Sequence, residues 1–364
     1  MNKCFITKLP SSVDNDNLPV LGQLRINWLK QSNLTDNDAR AIGLSTNDSI
    51  TIKVSGAHLT DSTLASNIGN TKTITAADGL VWLYVSNDAD AILTIDNKYS
   101  LTGLNFSKST DKNGLKRSVK FDINDIRYCT ALISLILSNT QVSGDISAVS
   151  QLTSIKSINL NNTQISGDIS TVSQLTNLIN LGLANTQVSG DISAVRNLTA
   201  LTYLSLSNTQ VSGDINAVSQ LTALTFINLS NTQVSGEIDS LANLTKLATL
   251  GNLKGLSLTG DMSKIPAGVV WISQVNRRVN TNFTWTAKGR QNAALLAMEG
   301  YVPFDTVSMD NMLIDQATCT LKPIYDTSWM RTISVSGTRT SASDAAVATI
   351  QNMGVTITGV TKQA

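Results

Sequence analysis

The sequence predicts an α/β-type solenoid, a stack of short parallel strands, preceded by a small, mostly β domain and followed by a βα capping region. Three observations predict this fold. An eight-residue block recurs every 23 residues, leucines recur at fixed positions before each block, and the flanking segments follow other periodicities. Self-similarity at an interval of this size is typical of solenoids.

The repeated block begins as Asn139-Thr-Gln-Val-Ser-Gly-Asp-Ile, and near-identical copies begin at Asn162, Asn185, Asn208 and Asn231. Before each copy stands L-x-x-L-x-L or a close variant, as in Leu132, Leu135 and Leu137. A short strand that turns two leucines inward cannot bury them alone. Stacking equivalent strands makes one continuous apolar column, so we expect that only the stack is stable.

Two small-residue columns are expected to shape the turns of each repeat. The threonines are Thr140, Thr163, Thr186, Thr209 and Thr232. Their hydroxyls can bond the turn backbone that leaves each strand. The glycine of each block permits a turn where a Cβ atom would clash. Both columns are interpreted as structural.

This pattern resembles the leucine-rich-repeat family, with threonine where that family usually has Asn or Cys and with V-S-G-D-I like the plant-type second strand. Degenerate copies extend the array, because Leu101, Leu104 and Phe106 match the strand, and Gly260-Asp261-Met262 matches the end of the block. Phe121-Asp122-Ile123 matches it too, which makes residues near 111–120 an insertion. We therefore predict a mostly β N-terminal domain over 1–98, a solenoid over 99–262 and a C-terminal cap over 263–364.

The N-terminal flank alternates apolar and polar residues in four short runs, which indicates β-strands. The runs are Leu24, Ile26 and Trp28; Ile50, Ile52 and Val54; Leu83 and Val85; and Leu93 and Ile95. Between the first two runs, Thr35 and Asp38 form a capping-box pattern. This pattern predicts a helix through Ala39 and Ile42 that ends at Gly43.

The C-terminal flank predicts alternating helices and strands. Helices are expected at Asn292 to Met298, at Asp310 to Ala317, and from a cap formed by Ser341 and Asp344 through Gln351. Strands are expected at Thr332 to Ser336 and Val355 to Val360, with a further strand between Val269 and Val275. Because Ile333 and Ile357 are 24 residues apart, we expect one more β-α-β turn that covers the open end of the solenoid.

Composition and charge argue against several classes of partner. The 27 Lys and Arg residues nearly balance the 26 Asp and Glu residues, so no field of one sign attracts nucleic acid. The longest apolar run, Ala293 to Met298, is far below the roughly 18 residues of a membrane span. The first ten residues lack the apolar stretch of a secretory signal. Cys4, Cys129 and Cys319 are expected to be reduced core residues.

The sequence offers no lead to catalysis, so we expect a protein that is not an enzyme and has no cofactor or metal. His58 is the only histidine, which excludes a histidine zinc cluster. Phosphate-binding and zinc-hydrolase motifs are absent. A carboxylate pair in a cleft of a flanking domain would be the one remaining route to an enzyme.

One acidic column stands out among the repeats: Asp122, Asp145, Asp168, Asp191, Asp214, Glu237 and Asp261. Stacked about 5 Å apart, such a row is able to hold cations. The alternative is that these carboxylates accept backbone N–H bonds in turns, which is the commoner use of such residues. A melting temperature that does not respond to calcium would exclude the cation site.

The x residues of L-x-x-L-x-L are expected to project from the concave sheet, and there the repeats differ from one another. The second x position runs Ser134, Ser157, Asn180, Tyr203, Phe226, Thr249. The candidate binding site is therefore Tyr203 and Phe226 with Thr202, Thr225 and Asn228 around them. Exposed aromatics stack on sugars or anchor protein contacts, although aromatic residues and threonine also simply suit strands.

The flanks resemble structural proteins of crAss-like phages of gut Bacteroides. The segments concerned are residues 1–26, F-T-W-T-A-K-G-R from Phe283, M-D-N-M-L-I-D-Q-A from Met309 and I-S-V-S-G-T-R-T-S-A-S-D-A-A from Ile333. The resemblance implies a protein of the virion whose N-terminal region holds the particle while the solenoid points outward.

Two functions are therefore expected. The first is a phage virion appendage or capsid-attached protein, bound to other virion proteins through its N-terminal region, which presents the solenoid to a host surface protein or glycan and forms a homo-oligomer. The second is an intracellular bacterial leucine-rich-repeat adaptor that binds a cytosolic protein and is located in the cytoplasm. Neither function involves nucleic acid or a membrane.

Overall fold

The structure is a computed structural model, and it describes residues 23–28, 41–55, 59–60, 67–69, 71–78, 80–85, 91–106, 119–269, 271–272, 283–286, 297–319 and 332–363. Within these ranges the chain forms the predicted α/β-type solenoid, flanked by β structure on the N-terminal side and βα structure on the C-terminal side. No helix in the described ranges has the length and apolar character that crossing a membrane requires.

Eight strands precede the repeats in the described part of the chain: β1 (Leu24–Trp28), β2 (Ala41–Thr46), β3 (Ser49–Ser55), β4 (Leu59–Thr60), β5 (Asn67–Gly69), β6 (Thr71–Thr75), β7 (Val81–Val85) and β8 (Ala91–Asp96). The four strands predicted from alternating residues are confirmed as β1, β3, β7 and β8. Their inward residues, such as Ile26, Ile52 and Ile95, are fully buried.

The helix predicted to end at Gly43 is wrong at its C-terminal end, because residues 41–46 form β2. Ile42 and Leu44 are both fully buried while Ser45 between Leu44 and Thr46 is only half-buried. This alternation has the period of a strand, and pairing with two neighbouring strands outweighs the local capping signal. Thr35, Asp38 and Ala39 lie outside the described residues.

The strands of the repeats alternate along the chain between a concave and an outer position. They are β9 (Leu101–Asn105), β10 (Val119–Lys120), β11 (Ser134–Ile136), β12 (Ser143–Asp145), β13 (Ser157–Asn159), β14 (Gln164–Asp168), β15 (Asn180–Gly182), β16 (Gln187–Asp191), β17 (Tyr203–Ser205), β18 (Gln210–Asp214), β19 (Phe226–Asn228), β20 (Gln233–Glu237), β21 (Thr249–Leu250), β22 (Ser257–Asp261), β23 (Trp271–Ile272) and β24 (Phe283–Thr284).

The concave strands are in register, so that equivalent leucines meet along the stack. Leu135 lies beside Leu104 on one side and beside Ile158 on the other, and the pattern continues to Leu250. The outer strands β12 to β22 form a second parallel sheet that ends with β24 among the described residues. Between the two sheets lies one continuous apolar core, and its leucine positions are buried as predicted.

The convex side of the five main repeats consists of four-residue 3₁₀ turns: Ile146–Val149, Ile169–Val172, Ile192–Val195, Ile215–Val218 and Ile238–Leu241. The first and last residue of each turn are buried. A 3₁₀ turn is compact enough to complete a repeat of 23 residues after two short strands. Neighbouring turns therefore pack as closely as the strands.

Four of the N-terminal strands, β2, β7, β4 and β5, continue the concave sheet, while β1, β8, β3 and β6 form a separate five-stranded sheet with β10. Strand β9 pairs in parallel with β11 and antiparallel with β2, and the sheet then runs on through β7, β4 and β5. The predicted boundary at residue 98 therefore precedes a strand that belongs to the same sheet as the repeats. The edge of the first repeat is therefore paired with another strand, β2, and is not open to solvent.

The C-terminal region contains β25 (Ala297–Pro303), α1 (Thr306–Ala317), β26 (Thr332–Arg339), α2 (Asp344–Asn352) and β27 (Thr356–Lys362). Strands β23, β25, β26 and β27 form a parallel sheet in that order. The predicted β-α-β turn is confirmed, and Ile333 lies directly beside Ile357. Cys129 and Cys319 are buried, as predicted for core residues, while Cys4 and His58 lie outside the described residues.

Two C-terminal details differ from prediction. Ala297 and Met298, expected to end a helix, begin β25, because they pair with the short strand β23; residues 292–296 lie outside the described part. Thr340 caps the 3₁₀ turn that precedes α2, and its hydroxyl accepts a hydrogen bond from the backbone N–H of Ala342. Ser341 is instead the first residue of a 3₁₀ turn that leads into the helix.

Candidate functional site

An asparagine ladder holds the repeats at a fixed spacing. Asn139, Asn162, Asn185, Asn208 and Asn231 have positive φ angles between 54° and 58°. From Asn162 onward, each side-chain Nδ2 donates to the Oδ1 atom of the preceding asparagine at 2.7 or 2.8 Å. Asparagine tolerates this left-handed conformation better than most residues, so one residue type supplies both the turn and the contact between repeats.

The threonine and glycine columns act as predicted. Each threonine hydroxyl donates to the carbonyl oxygen three residues earlier at 2.6 Å. The block glycines have φ between +100° and +114°. A Cβ atom on Gly213 would lie 2.7 Å from Oδ1 of Asp191 in the preceding repeat. The turn therefore requires glycine for its backbone angle and for space.

The acidic column caps the 3₁₀ turns. Six of its seven carboxylates accept the backbone N–H two residues later at 2.7 to 2.9 Å. The bond from Ser193 N–H is the main reason that the pKa of Asp191 lies below its usual value. Among the described residues, no group of three His, Cys, Asp or Glu side chains is placed to hold a metal ion. These hydrogen bonds agree with the interpretation that the carboxylates accept backbone N–H groups in turns.

The buried leucines orient the residues between them toward the concave surface. Leu204 and Ile227 are fully buried, and Tyr203 and Phe226, one residue before them, are half-buried on the opposite face. Register pairing places Tyr203 directly beside Phe226. The structure therefore brings together the two aromatic residues that the repeat pattern placed on adjacent strands.

The two rings lie face to face. Their centroids are 4.5 Å apart and their planes differ by 11°. This separation is close to the spacing of neighbouring strands, about 4.8 Å. The rings therefore stack along the solenoid axis and present their edges to solvent. Each outer face is directed toward the next residue of the same column, Asn180 on one side and Thr249 on the other.

The predicted polar neighbours lie on the same strands or just before them. Thr202 donates to the carbonyl of Ile179 at 3.3 Å, and Thr225 donates to the carbonyl of Thr202 at 3.0 Å. Oδ1 of Asn228 accepts from both the backbone N–H and the hydroxyl of Ser230. These contacts orient the side chains, while the hydroxyl oxygens keep lone pairs able to accept a bond from a ligand.

The surface around the rings is uncharged. The strand segments 178–183, 201–206 and 224–229 contain no Asp, Glu, Lys or Arg. Ser205, at the third x position of the same strand as Tyr203, is buried, and the sequence pattern alone did not single it out. The alternation of inward and outward residues would have identified it, because it projects on the same side as Tyr203.

Comparison with known proteins gives structural matches only, since neither a protein-family model nor a curated relative matches the sequence. The PEPR1–AtPEP1 crystal structure is 19% identical, with a TM-score of 0.53, over 72% of this chain and 35% of that chain. This chain thus spans about a third of that structure. The TM-score indicates that the two share one fold.

Two bacterial structures match with lower TM-scores. An internalin (InlF) of Listeria monocytogenes is 20% identical, with a TM-score of 0.46, over 67% of this chain and 72% of that chain. A leucine-rich-repeat protein of Leptospira interrogans is 20% identical, with a TM-score of 0.41, over 55% of this chain and 50% of that chain.

Proposed function

We propose that this chain, which has the leucine-rich-repeat fold, is a non-enzymatic binding protein whose concave surface holds a segment of another protein. The observation that carries the proposal is the stacked Tyr203–Phe226 pair at the centre of an uncharged surface. Half-buried aromatic residues fixed by a rigid sheet lose little entropy on binding, and such residues dominate protein contacts.

The ring orientation favours a protein ligand over a glycan. A sugar stacks on an open ring face, whereas here the two inner faces cover each other, and the register places Asn180 and Thr249 as the next residues beyond the outer faces. Ring edges carry partial positive charge and pack well against carbonyl oxygens and other aromatic rings. Those are the groups that a polypeptide segment offers.

The absence of charge from the segments 178–183, 201–206 and 224–229 favours a neutral ligand segment. An acidic or basic peptide would lose hydration on this surface without gaining an opposite charge. We therefore expect binding that changes little with ionic strength, because screening acts on interactions between charges.

The first experiment selects ligands and locates their site. A displayed library of random peptides and a glycan array are both probed with the full chain. Selected peptides are then tested against Tyr203→Ser/Phe226→Ser and against a control, Gln210→Ser/Gln233→Ser, which changes exposed residues of the outer sheet in the same two repeats. We expect the aromatic variant to bind about tenfold or more weakly and the control to bind normally.

Two results would contradict the proposed site. In one, peptides bind the aromatic variant and the wild type equally well while circular dichroism shows both folded. In the other, only glycans bind. Charged peptides whose binding falls steeply with salt would contradict the neutral character of the surface.

We further propose that the chain belongs to a phage virion, as an appendage or capsid-attached protein anchored by its N-terminal region. The support is the resemblance of the flanks to structural proteins of crAss-like phages. Of the segments that carry this resemblance, the structure describes residues 283–286, α1 and β26, and it does not describe residues 1–22. The test is mass spectrometry of purified particles, with the chain expected in several copies for each particle. Detection only in the cytosol of bacteria would favour the alternative, an intracellular adaptor.

A further inference from the structure

The concave surface contains a recess on the same strand as Tyr203. We define it by three small residues, Ala184, Ser205 and Ser207, which are 7%, 4% and 7% exposed. Their alternation with buried leucines places them on the concave side, where short side chains are buried only if larger neighbours stand around them. Asn161 in the preceding repeat is one such neighbour.

Two hydroxyl groups in this recess have no hydrogen-bond partner within the described residues. They belong to Ser205 and Ser207, whose side chains are more than nine-tenths buried. Both Oγ atoms still reach solvent. A hydroxyl held this deep without a bond costs free energy, so a ligand group that enters the recess and bonds to it is stabilised.

The backbone N–H of Ser207 also lacks a partner among the residues that the structure describes. At the equivalent position of neighbouring repeats, the carbonyl oxygen of an asparagine side chain accepts this bond. Oδ1 of Asn161 accepts from Ala184 at 2.7 Å, and Oδ1 of Asn228 accepts from Ser230 at 3.1 Å. The chain therefore shows which chemical group satisfies this N–H: the oxygen of an amide.

The missing acceptor is explained by two small residues. Ser205 stands where the next repeat has Asn228, and Ala184 stands where the preceding repeat has Asn161. Neither side chain carries a carbonyl oxygen. An unpaired backbone N–H in a buried position costs about as much as a lost hydrogen bond, so the recess has one unfilled acceptor position with two hydroxyls beside it.

We propose that this recess binds an amide carbonyl oxygen of the protein segment held on the concave surface. The inference rests on the proposed function and names the group that the surface recognises. The oxygen takes the position that Oδ1 of Asn228 has in the next repeat and accepts from the N–H of Ser207. A serine hydroxyl then donates to its second lone pair. An amide carbonyl is also the strongest acceptor that a neutral segment offers.

The first test fills the recess with the chain's own chemistry. Ala184→Asn/Ser205→Gly repeats, one repeat later, the arrangement in which the amide of Asn161 lies over Gly182. The introduced Oδ1 should accept from Ser207. Ser205→Gly alone is the matched control, because it loses the hydroxyl but leaves the N–H unbonded. By isothermal titration calorimetry, we expect selected peptides to bind the double variant about tenfold or more weakly than the control. The Tm of the double variant should be the higher of the two.

The carbonyl belongs either to the peptide backbone or to an Asn or Gln side chain of the peptide. Replacing one peptide bond at a time with an ester weakens each backbone carbonyl in turn, and alanine replaces each Asn or Gln. The replacement that removes the bonded oxygen should weaken binding to Ser205→Gly and have little effect on binding to the double variant. If no replacement of either kind shows this difference, the proposal is wrong.

Hydrogen exchange measured by NMR requires no variant. When a selected peptide binds the wild-type chain, exchange at the N–H of Ser207 should slow. The N–H of Ala184, which is bonded within the chain, should change little. A bound peptide that leaves exchange at Ser207 unchanged contradicts the carbonyl site.

Failure of this inference is distinguishable from failure of the proposed function. Peptides that require Tyr203 and Phe226, yet bind the double variant as tightly as Ser205→Gly, contradict the carbonyl site and leave the proposed function standing. A wild-type chain that binds no peptide contradicts both.

Discussion

At the scale of single residues, the repeated block assigns a distinct physical task to nearly every position. Asparagine supplies a left-handed turn and a bond to the next repeat, threonine bonds a carbonyl, glycine fits where a Cβ would clash, and aspartate caps the following turn. These tasks are local, so they were largely predictable from the sequence. The asparagine ladder was not predicted, because the repeat places the asparagines one above another but does not show that their side chains bond to each other.

Replacing Asn185 tests the ladder. Asn185→Gly keeps the positive φ but removes the bonds to Asn162 and Asn208. We expect a loss of about 1–3 kcal/mol in the free energy of unfolding, for two hydrogen bonds and the added chain entropy, measured by urea denaturation.

Asn185→Ala is the matched comparison, because it adds backbone strain to the same lost bonds. It should destabilise the chain more than Asn185→Gly. If the glycine variant is as stable as wild type, the ladder contributes nothing.

Asp125 and Asp191 should respond to pH with opposite signs. Burial, together with the Asp122 charge, raises the pKa of Asp125. Its contribution to stability is therefore complete below its usual pKa of 3.8 and is lost as pH rises through the raised pKa. We expect Asp125→Asn to be more stable than wild type at neutral pH, and the difference in Tm to vanish in acid.

Asp191 provides the opposite case. The backbone bond from Ser193 lowers its pKa, so its contribution is present above 3.8 and is lost as pH falls through the lowered pKa. Asp191→Asn should be slightly less stable than wild type at neutral pH and should match it in acid. If Tm depends on pH in the same way for both variants, the opposite pKa shifts of Asp125 and Asp191 are contradicted.

At the scale of secondary-structure elements, the sequence predicted strands better than helices. The strand at 41–46 carries a capping box just before it, yet it forms in the middle of a sheet. A cap acts over one turn of helix, whereas pairing on both sides and burial of Ile42 and Leu44 act over the whole strand. Tertiary contacts of this kind leave no local signal. Repeats, in contrast, display their neighbours in the sequence itself.

Trp285 joins the short strand β24 to helix α1. It is buried, its Nε1 donates to Asp315 at 3.0 Å, and its carbonyl accepts from Asn311. We expect Trp285→Ala to cost about 3–5 kcal/mol and to raise hydrogen exchange in α1 while exchange in the repeats stays slow.

Thr284→Ala is the control for Trp285→Ala, because Thr284 is the exposed residue just before Trp285, at the end of β24. It should leave exchange unchanged. Uniform acceleration across all repeats in the tryptophan variant would mean that the cap and the solenoid unfold as one unit.

At the scale of the whole molecule, the equivalent repeats make the solenoid modular. Removing residues 178–200 deletes one complete interval of 23 residues. Leu201 should then occupy the position of Leu178, with the register of the strands unchanged. We expect a folded chain with a lower Tm and a smaller urea m-value, since less surface is buried. Circular dichroism and urea denaturation measure both quantities.

Removing about half of this segment, residues 178–188, is the control, because it would bring concave strands against outer strands. That chain should fail to fold cooperatively. A full-interval deletion that behaves like the half-interval deletion would contradict the modular description. The candidate site was predictable as a column of residues with uncharged neighbours, whereas its face-to-face rings depend on the register that stacking imposes.

The concave sheet runs without interruption from β5 to β21 within the described residues, so strands β2, β4, β5 and β7 and the aromatic pair belong to one hydrogen-bonded sheet. A rotation of these four strands therefore rotates the ligand surface with them. A partner that fixes the β4–β5 end of this sheet would also fix the direction in which the ligand is presented.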